Sequence, residues 1–240
     1  YIVVLNWNQL RLTVNCVRSL INLNYSTYQV VVVDNGSDDG SVEKLYVEFG
    51  KSIDIITNSE NLGFSGGNNA GIQYALDHGA DYIMLINNDT EVDPDFLMPL
   101  VKLLQSSAKI GAVTPKIYYM HDPRRIWAAG GEINWCLGQA RNRGLRELDN
   151  GQYDHSEVVG YATGCCMLIR SVVLREVGLL DEKYFAYFED ADWCLRARKS
   201  GFQIWYEPSS VIWHVAGASS RQETKSKHSG ESNPLLYYLS

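Results

Sequence analysis

The chain opens on a short apolar run, Ile2-Val3-Val4-Leu5, that ends in the polar clip Asn6-Trp7-Asn8. Leu12, Cys16, Leu20 and Leu23 then recur at helical spacing, which predicts a helix over residues 10–23. The alternation continues. "QVVVVDNGSDDGS" predicts a second strand and a turn, with a helix over residues 41–49 behind it. "IDIITN" predicts a third strand, and "NLGFSGGNNAG" leads into a helix through Ala75 and Leu76 to Gly79. "YIMLINND" predicts a fourth strand, followed by a helix capped by Asp93, with Pro94 at its first position, to about Ser106.

Strands separated by helices imply a parallel sheet covered on both faces. In such sheets ligands bind beyond the carboxyl ends of the strands, near a reversal of strand order. The clips "NWN", "DNGSDDG", "NSENLGFSGGN" and "NNDT" all fall at those ends. The second half has a different rhythm. Residues 111–119 and 157–170 read as strands, with "RNRGLRELDNGQ" between them as a surface loop. Residues 171–177 and 190–199 read as helices, the latter stopped by Gly201. "FQIWYEPSSVIWHV" reads as two short strands around a turn, and residues 219–232 as a polar, mobile tail. With no internal repeat and no linker composition, residues 1–240 are expected to form one domain.

Composition narrows the function. A hydrophobic share of 45% is enough for a core, and a net charge of −7 disfavours nucleic acid as a partner. No apolar run approaches the roughly 20 residues of a membrane span. The first residues enter a strand with no signal peptide before it, which leaves room for a longer parent chain, while the cysteine usage is that of a cytoplasmic protein. The five cysteines are odd in number and include the adjacent Cys165 and Cys166. Together with Cys16, Cys136 and Cys194, they read as reduced core thiols rather than disulfides, and none has zinc spacing.

Four stretches could carry chemistry. Asp34 ends a strand, where a carboxylate can accept hydrogen bonds from a base or ribose; equally, "DNGSDDGS" is a turn into a helix. Its oxygen spacing does not fit a calcium loop. "NLGFSGGNNAG" could present backbone amides to a phosphate through Gly66, Gly67 and Asn68, or could simply pack a helix closely on the sheet. It lacks both dinucleotide and P-loop spacing. Asp89 is the one carboxylate of "INNDT", suited to Mg²⁺ or Mn²⁺, or to a turn. Glu189 and Asp190 follow the aromatic run Tyr184, Phe185, Tyr187 and Phe188, a setting that raises the proton affinity of a carboxylate as a general base requires. The acids-first, bases-last order, with Asp192 and Arg196 four apart, also suits the helix dipole. His214 ends an apolar strand and matters only if the fold brings it to Asp89.

Taken in order, "VVVDNGSDDGS", "NLGFSGGNNAG", "LINNDTEVDPDFL", "TGCCMLIRSVVLREVGLLDEKYFAYFEDADWCLRARKSGF" and "WHVAGASS" resemble glycosyltransferase family 2, in its rhamnosyltransferase-like branch. The resemblance covers nearly the whole chain. It implies a GT-A fold: an α/β, Rossmann-like, mostly parallel central sheet with helices on both faces. The nucleotide-sugar half (residues 1–110) and the acceptor half (residues 111–240) would be continuous. It implies inverting transfer of a sugar, rhamnose among the options, from a nucleoside-diphosphate donor to a hydroxyl of a glycan or lipid-linked acceptor. Asp34, Asn35 and the chain around Asn6 would line the nucleoside pocket, with Gly66, Gly67, Asn68 and Asn88 also on the donor. Asn87 and Asp89 stand where the family has its D-x-D motif. Asp89 and His214 would hold the Mg²⁺ or Mn²⁺, while Asn87, replacing an acid, faces either metal or ribose. Asp190 would be the catalytic base and Glu189 would orient the acceptor. Arg221, Lys225 and Lys227 would form either a lid on the diphosphate or a solvated loop. Work at the inner membrane face through peripheral association fits such acceptors. The rivals are a sugar-1-phosphate nucleotidyltransferase, for which "NWNQLRLT" is a poor match, and a degenerate, non-catalytic module that binds nucleotide-sugar or glycan.

Overall fold

The computed structural model describes residues 1–134 and 139–216. Cys136 and the tail bearing Arg221, Lys225 and Lys227 lie outside the described residues. In chain order the elements are β1 (Ile2–Asn6), α1 (Leu10–Leu20), β2 (Val30–Asp34), α2 (Ser41–Phe49), β3 (Asp54–Thr57), α3 (Gly63–Asp77), β4 (Tyr82–Asn87), β5 (Thr90–Val92), α4 (Leu97–Ser106), β6 (Ile110–Tyr119), β7 (Asp122–Ala129), β8 (Gly131–Asn134), β9 (Gln139–Asn142), β10 (Glu157–Val158), β11 (Cys166–Arg170), α5 (Ser171–Val177), α6 (Glu189–Lys199) and β12 (Gln203–His214).

One sheet, ordered β10-β12-β6-β11-β4-β1-β2-β3, runs through both halves. β3, β2, β1, β4, β6 and β12 point one way; β11 and β10 run against them. The two-residue period of the strands divides the core. Ile2, Val4, Val30, Val32, Met84 and Ile86 pack under α1, α2 and α4. Val3, Val31, Val33, Ile83 and Leu85 pack under α3, α5 and α6. All five residues of β2 are buried, as a central parallel strand requires. Among the described residues the four cysteines are free and buried, as expected for reduced core thiols.

The glycine-rich segment becomes the N-terminal half of α3, and Gly67 and Gly71 face the sheet. A Cβ at Gly67 would run into Leu5, and one at Gly71 into Val3 and Val33, so the helix lies closer to the sheet than any side chain would permit. Gly71→Ala is therefore expected to destabilise by about 1–3 kcal/mol through overpacking. The check is a melting point lower by about 2–4 °C per kcal/mol for a chain of this size.

Four sequence expectations change. The helix expected from Pro94 starts at Leu97, because β5 first pairs antiparallel with β12 and the chain needs a turn to leave the sheet. Asp93 serves that turn: its Oδ1 accepts from Asp95 N at 2.8 Å and its carbonyl from Phe96 N at 3.0 Å. The expected strand pair over residues 202–215 is the single strand β12, with an irregularity between Glu207 and Val211. Glu207 Oε1 ties that bulge by accepting from Ser209 N at 3.1 Å and Ser209 Oγ at 2.6 Å. The expected strand over residues 157–170 keeps only its ends, β10 and β11. The segment expected as a surface loop contributes Asn142 and its neighbours to the β8–β9 hairpin, and Asp149 receives the buried Lys116 Nζ at 2.8 Å.

Candidate active site

The carboxyl ends of the central strands come together by register. Asn6 of β1 lies opposite Asp34 of β2, and Leu5 lies opposite Asn87 of β4. Strand order reverses here, since β1 has β2 on one side and β4 on the other. This is the crevice where an open α/β sheet receives a ligand.

Beyond Asn87 the chain turns at Asn88-Asp89 and re-enters the sheet as β5, antiparallel to β12. That pairing sets His214 opposite Thr90, and Val215 N donates to the Asp89 carbonyl at 2.9 Å. His214 Nε2 thereby lies 3.0 Å from Asp89 Oδ1, with the two side chains only 7% and 3% exposed. The contact lacks hydrogen-bond geometry, so Asp89 Oδ1 is buried without a hydrogen-bond partner; the other imidazole nitrogen, His214 Nδ1, is buried without one as well. The edge of Trp127 meets the imidazole, with ring centroids 4.4 Å apart.

A cleft of about 470 Å³ opens over this ledge. Leu5, Trp7, Asn35, Asn61 and Gly63 line one wall; Asn87, Asn88, Asp89 and His214 line the floor. The far wall is Thr163-Gly164-Cys165, the aromatic segment 185–188, Glu189 and Asp190. The aromatic segment is clamped to the start of α3: Phe64 N donates to the Phe185 carbonyl at 2.6 Å and Ser65 Oγ to the Tyr184 carbonyl at 2.7 Å. Gly63 allows this approach, because at φ +73° a Cβ would stand 2.5 Å from the Phe185 carbonyl oxygen. Tyr187 and Phe188 themselves take φ of +73° and +72°, an unfavourable conformation for aromatic residues that turns the chain into α6.

The two acids at the start of α6 sit in unequal surroundings. Asp190 Oδ2 accepts from Gly164 N at 2.8 Å and its Oδ1 from Ala191 N at 2.7 Å. Burial raises its proton affinity, and those amides oppose the rise. Glu189 is 5% exposed, and its Oε2 has no hydrogen-bond partner. Burial first, then the charge of Asp190, pushes its carboxyl up to about 8. Farther along the helix, Asp192 and Arg196 form the expected pair at 2.8 Å.

The raised Glu189 carboxyl sets a pH dependence. An acid whose folded pKa exceeds its unfolded one supports the fold fully below the unfolded value, near 4.5, and loses that support as pH rises through about 8. Glu189→Gln is thus expected to match the wild type near pH 4.5. At pH 9 it should be more stable by on the order of 1 kcal/mol or more, about 2–4 °C in melting point. Paired thermal melts across that range are the check; a constant offset would show that ionisation of Glu189 is not the cause.

The nucleoside-side residues divide. Asn35 lines the cleft, but its amide is fully engaged: Nδ2 donates to Asn61 Oδ1 at 2.8 Å and to the Gly63 carbonyl at 3.0 Å, and Oδ1 accepts from Asn58 Nδ2 at 2.9 Å. Asn6 and Asp34 lie beneath the floor rather than on it, 0% and 2% exposed. Asn6 Nδ2 donates to Asp34 Oδ1 at 2.7 Å, and Asp34 Oδ2 accepts from Ser37 N at 3.0 Å. Gly66, Gly67 and Asn68 do not reach the cleft lining among the described residues; they are buried in α3, where Asn68 Nδ2 donates to the Phe64 carbonyl at 2.9 Å. The same segment reaches the cleft through Asn61, Gly63 and Phe64. Residues 141–152 do not line the cleft either.

Trp127 and the amide of Gly164 were not foreseen. Trp127 lies in β7, which no periodicity announced, and the Gly164 contact depends on a bend between β10 and β11. Among the described residues no three His, Cys, Asp or Glu side chains group to hold a metal. The pair Asp89 and His214 still fits one: Asp89 Oδ1 is buried without a hydrogen-bond partner 3.0 Å from His214 Nε2, and hard divalent ions commonly keep one or two protein ligands and fill the rest with water and substrate phosphates.

Residues 1–229 match the family described as Glycosyltransferase like family 2. The low-salt glycan biosynthesis hexosyltransferase Agl10 of Haloferax volcanii is 30% identical over 181 residues, 73% of this chain and 55% of that protein. The N-acetylglucosaminyl-diphospho-decaprenol L-rhamnosyltransferase of Mycobacterium tuberculosis is 27% identical over 229 residues, 87% of this chain and 74% of that protein. Among solved structures, GalNAc-T7 with UDP, GalNAc and Mn²⁺ superposes with a TM-score of 0.73 at 17% identity, covering 89% of this chain and 43% of that one. The mannosyltransferase PcManGT of Pyrobaculum calidifontis, in complex with GDP-Man and Mn²⁺, gives 0.66 at 15% identity over 97% of this chain and 65% of that one. The fold is accordingly GT-A.

Proposed function

The chain belongs to the Glycosyltransferase like family 2, and from that membership we propose that it moves a sugar from a nucleoside-diphosphate donor to an acceptor hydroxyl with inversion, as a hexosyltransferase of polysaccharide or glycan synthesis. The observation that carries the proposal is one cleft with two unlike sides. Its floor holds the unsatisfied pair Asp89 and His214, and its far wall holds the amide-braced carboxylate of Asp190.

In this reading Asp190 takes the proton from the attacking hydroxyl, and the Gly164 and Ala191 amides fix its direction. Glu189 keeps its proton at neutral pH and orients the acceptor as a donor. Asn35 and Trp7 bound the nucleoside end, while Asp34 and Asn6 set its shape from below. Asn87 and Asn88 offer neutral amides to the ribose or diphosphate. Gly66, Gly67 and Asn68 act indirectly, by holding α3 against the wall. Asp89 and His214 would hold Mg²⁺ or Mn²⁺, which supplies Lewis-acid neutralisation of the departing diphosphate. Relatives named for rhamnosyl transfer and a decaprenol-linked acceptor support rhamnose as donor sugar and a lipid-linked glycan as acceptor. The decaprenol-linked acceptor named for one relative supports peripheral docking at the inner, cytoplasmic face of a membrane; no helix among the described residues is long and apolar enough to cross one.

Calorimetric titration with UDP-, dTDP- and GDP-sugars, with and without Mn²⁺, is the test. Metal-dependent binding of one donor is expected, and NMR of the product should show the opposite anomer. Retained configuration would remove Asp190 as the base. Absence of any donor binding by the folded protein would overturn transfer and leave a non-catalytic glycan-binding module.

A further inference from the structure

Thr13 is fully buried on the inner face of α1, among Val14, Cys16, Val17 and Leu20. A β-branched hydroxyl residue is a poor choice for a helix interior packed on an apolar sheet, and its oxygen is costly there unless hydrogen-bonded. It is bonded twice. Asn88 Nδ2 donates to Thr13 Oγ1 at 2.8 Å, and Thr13 Oγ1 donates to Asn6 Oδ1 at 2.6 Å, closer than its other acceptor, the Gln9 carbonyl at 3.2 Å. Asn6 Nδ2 then donates to Asp34 Oδ1 at 2.7 Å, and Asp34 Oδ2 receives Ser37 N at 3.0 Å.

These bonds form one directed chain, Asn88 to Thr13 to Asn6 to Asp34, with every donor pointing toward an acceptor-only carboxylate. Such chains polarise cooperatively in a low-dielectric interior. Its ends are the two parts of the donor site. Asn88 lies on the cleft floor next to Asp89, and Asp34 closes the nucleoside turn. Thr13 is the only member that accepts and donates through a single atom.

We propose that Thr13 is a positioning residue that couples the nucleoside end of the donor site to the metal ledge, so that occupation of one end raises affinity at the other. The inference rests on the donor site assigned above. A nucleoside seated against Asn35 would order the turn that Asp34 holds from below, tighten the chain and fix the Asn88 amide beside Asp89; by linkage, a metal ion at the ledge would tighten nucleotide binding by the same factor.

The test uses the full chain with the nucleoside diphosphate that wild type binds best among UDP, dTDP and GDP. Its dissociation constant is measured with and without Mn²⁺, and that of Mn²⁺ with and without nucleotide. Wild type should show equal enhancement in both directions. Thr13→Val, which keeps the shape and removes both bonds, should cut the enhancement about tenfold, and Thr13→Ser should restore it to within about threefold. The Thr13→Val, Asn88→Ala double variant should lose no more than either single variant, because both cut the same chain. If Thr13→Val does not fold, Asn88→Ala against Asn6→Ala gives the same cycle. Additive losses, or a Thr13→Val protein that melts lower with enhancement intact, would overturn the coupling and leave Thr13 a packing residue. Failure of the wild type to show any metal-dependent nucleotide binding would instead remove the donor site itself, and this inference with it.

Discussion

Asp190→Asn is expected to lower sugar transfer by roughly 10²–10⁴-fold, the usual worth of a general base, while leaving the nucleotide dissociation constant close to that of wild type. The separation follows from position. Asp190 reaches the cleft from the start of α6, braced by Gly164 N at 2.8 Å and Ala191 N at 2.7 Å, so its replacement removes a proton acceptor and leaves Asp89 and His214 in place. An asparagine keeps one of the two acceptor oxygens, so some loss of melting temperature accompanies the variant and is measured alongside. Glu189→Gln supplies the contrast. A residue that donates while protonated should raise the acceptor KM more than it lowers kcat when replaced by a neutral amide. A larger fall in kcat for Glu189→Gln than for Asp190→Asn would exchange the two roles.

Asp89→Ala should remove the metal dependence of donor binding altogether. In the wild type, Mn²⁺ should tighten the nucleotide; in the variant, affinities with and without metal should coincide, and turnover should fall by roughly 10²-fold or more, since Lewis-acid neutralisation is worth several kcal/mol and each 1.36 kcal/mol is tenfold. Asp89 is the one carboxylate on the floor, and its Oδ1 is buried with no hydrogen bond to lose. His214→Ala removes a neutral ligand and should have a smaller effect in the same direction. Unchanged metal dependence in Asp89→Ala, with the protein folded, would move the ion away from this ledge.

Several of these assignments were legible in the sequence because they depend on local rules. Strand ends with polar clips mark the carboxyl edge of a parallel sheet, and the two-residue period tells which valines face which layer of helices. Acidic residues behind an aromatic run announce a desolvated carboxylate, and Glu189 is one. The glycines of α3 were visible but ambiguous. Phosphate cradles and tight helix–sheet contacts use the same residue, and only the position of Val3 and Leu5 beneath Gly71 and Gly67 separates them.

The sequence by itself determined the alternating α/β half and the candidate acids Asp89, Glu189 and Asp190, since these follow from spacing and side-chain chemistry along neighbouring positions, and its motifs taken in order carried the resemblance to the family. Tertiary structure alone decided what those residues meet. β5 has three residues and no periodicity to reveal it, yet its pairing with β12 brings His214 to Asp89 across more than a hundred positions of chain. The bend after β10 likewise brings the Gly164 amide to Asp190, and the packing of α1 turns Thr13 from an awkward helix residue into the centre of a buried hydrogen-bond chain. The physical reason is common to all three. Hydrogen bonds and ion contacts act over about 3 Å in space, and no local pattern of polarity records which distant backbone will supply the partner.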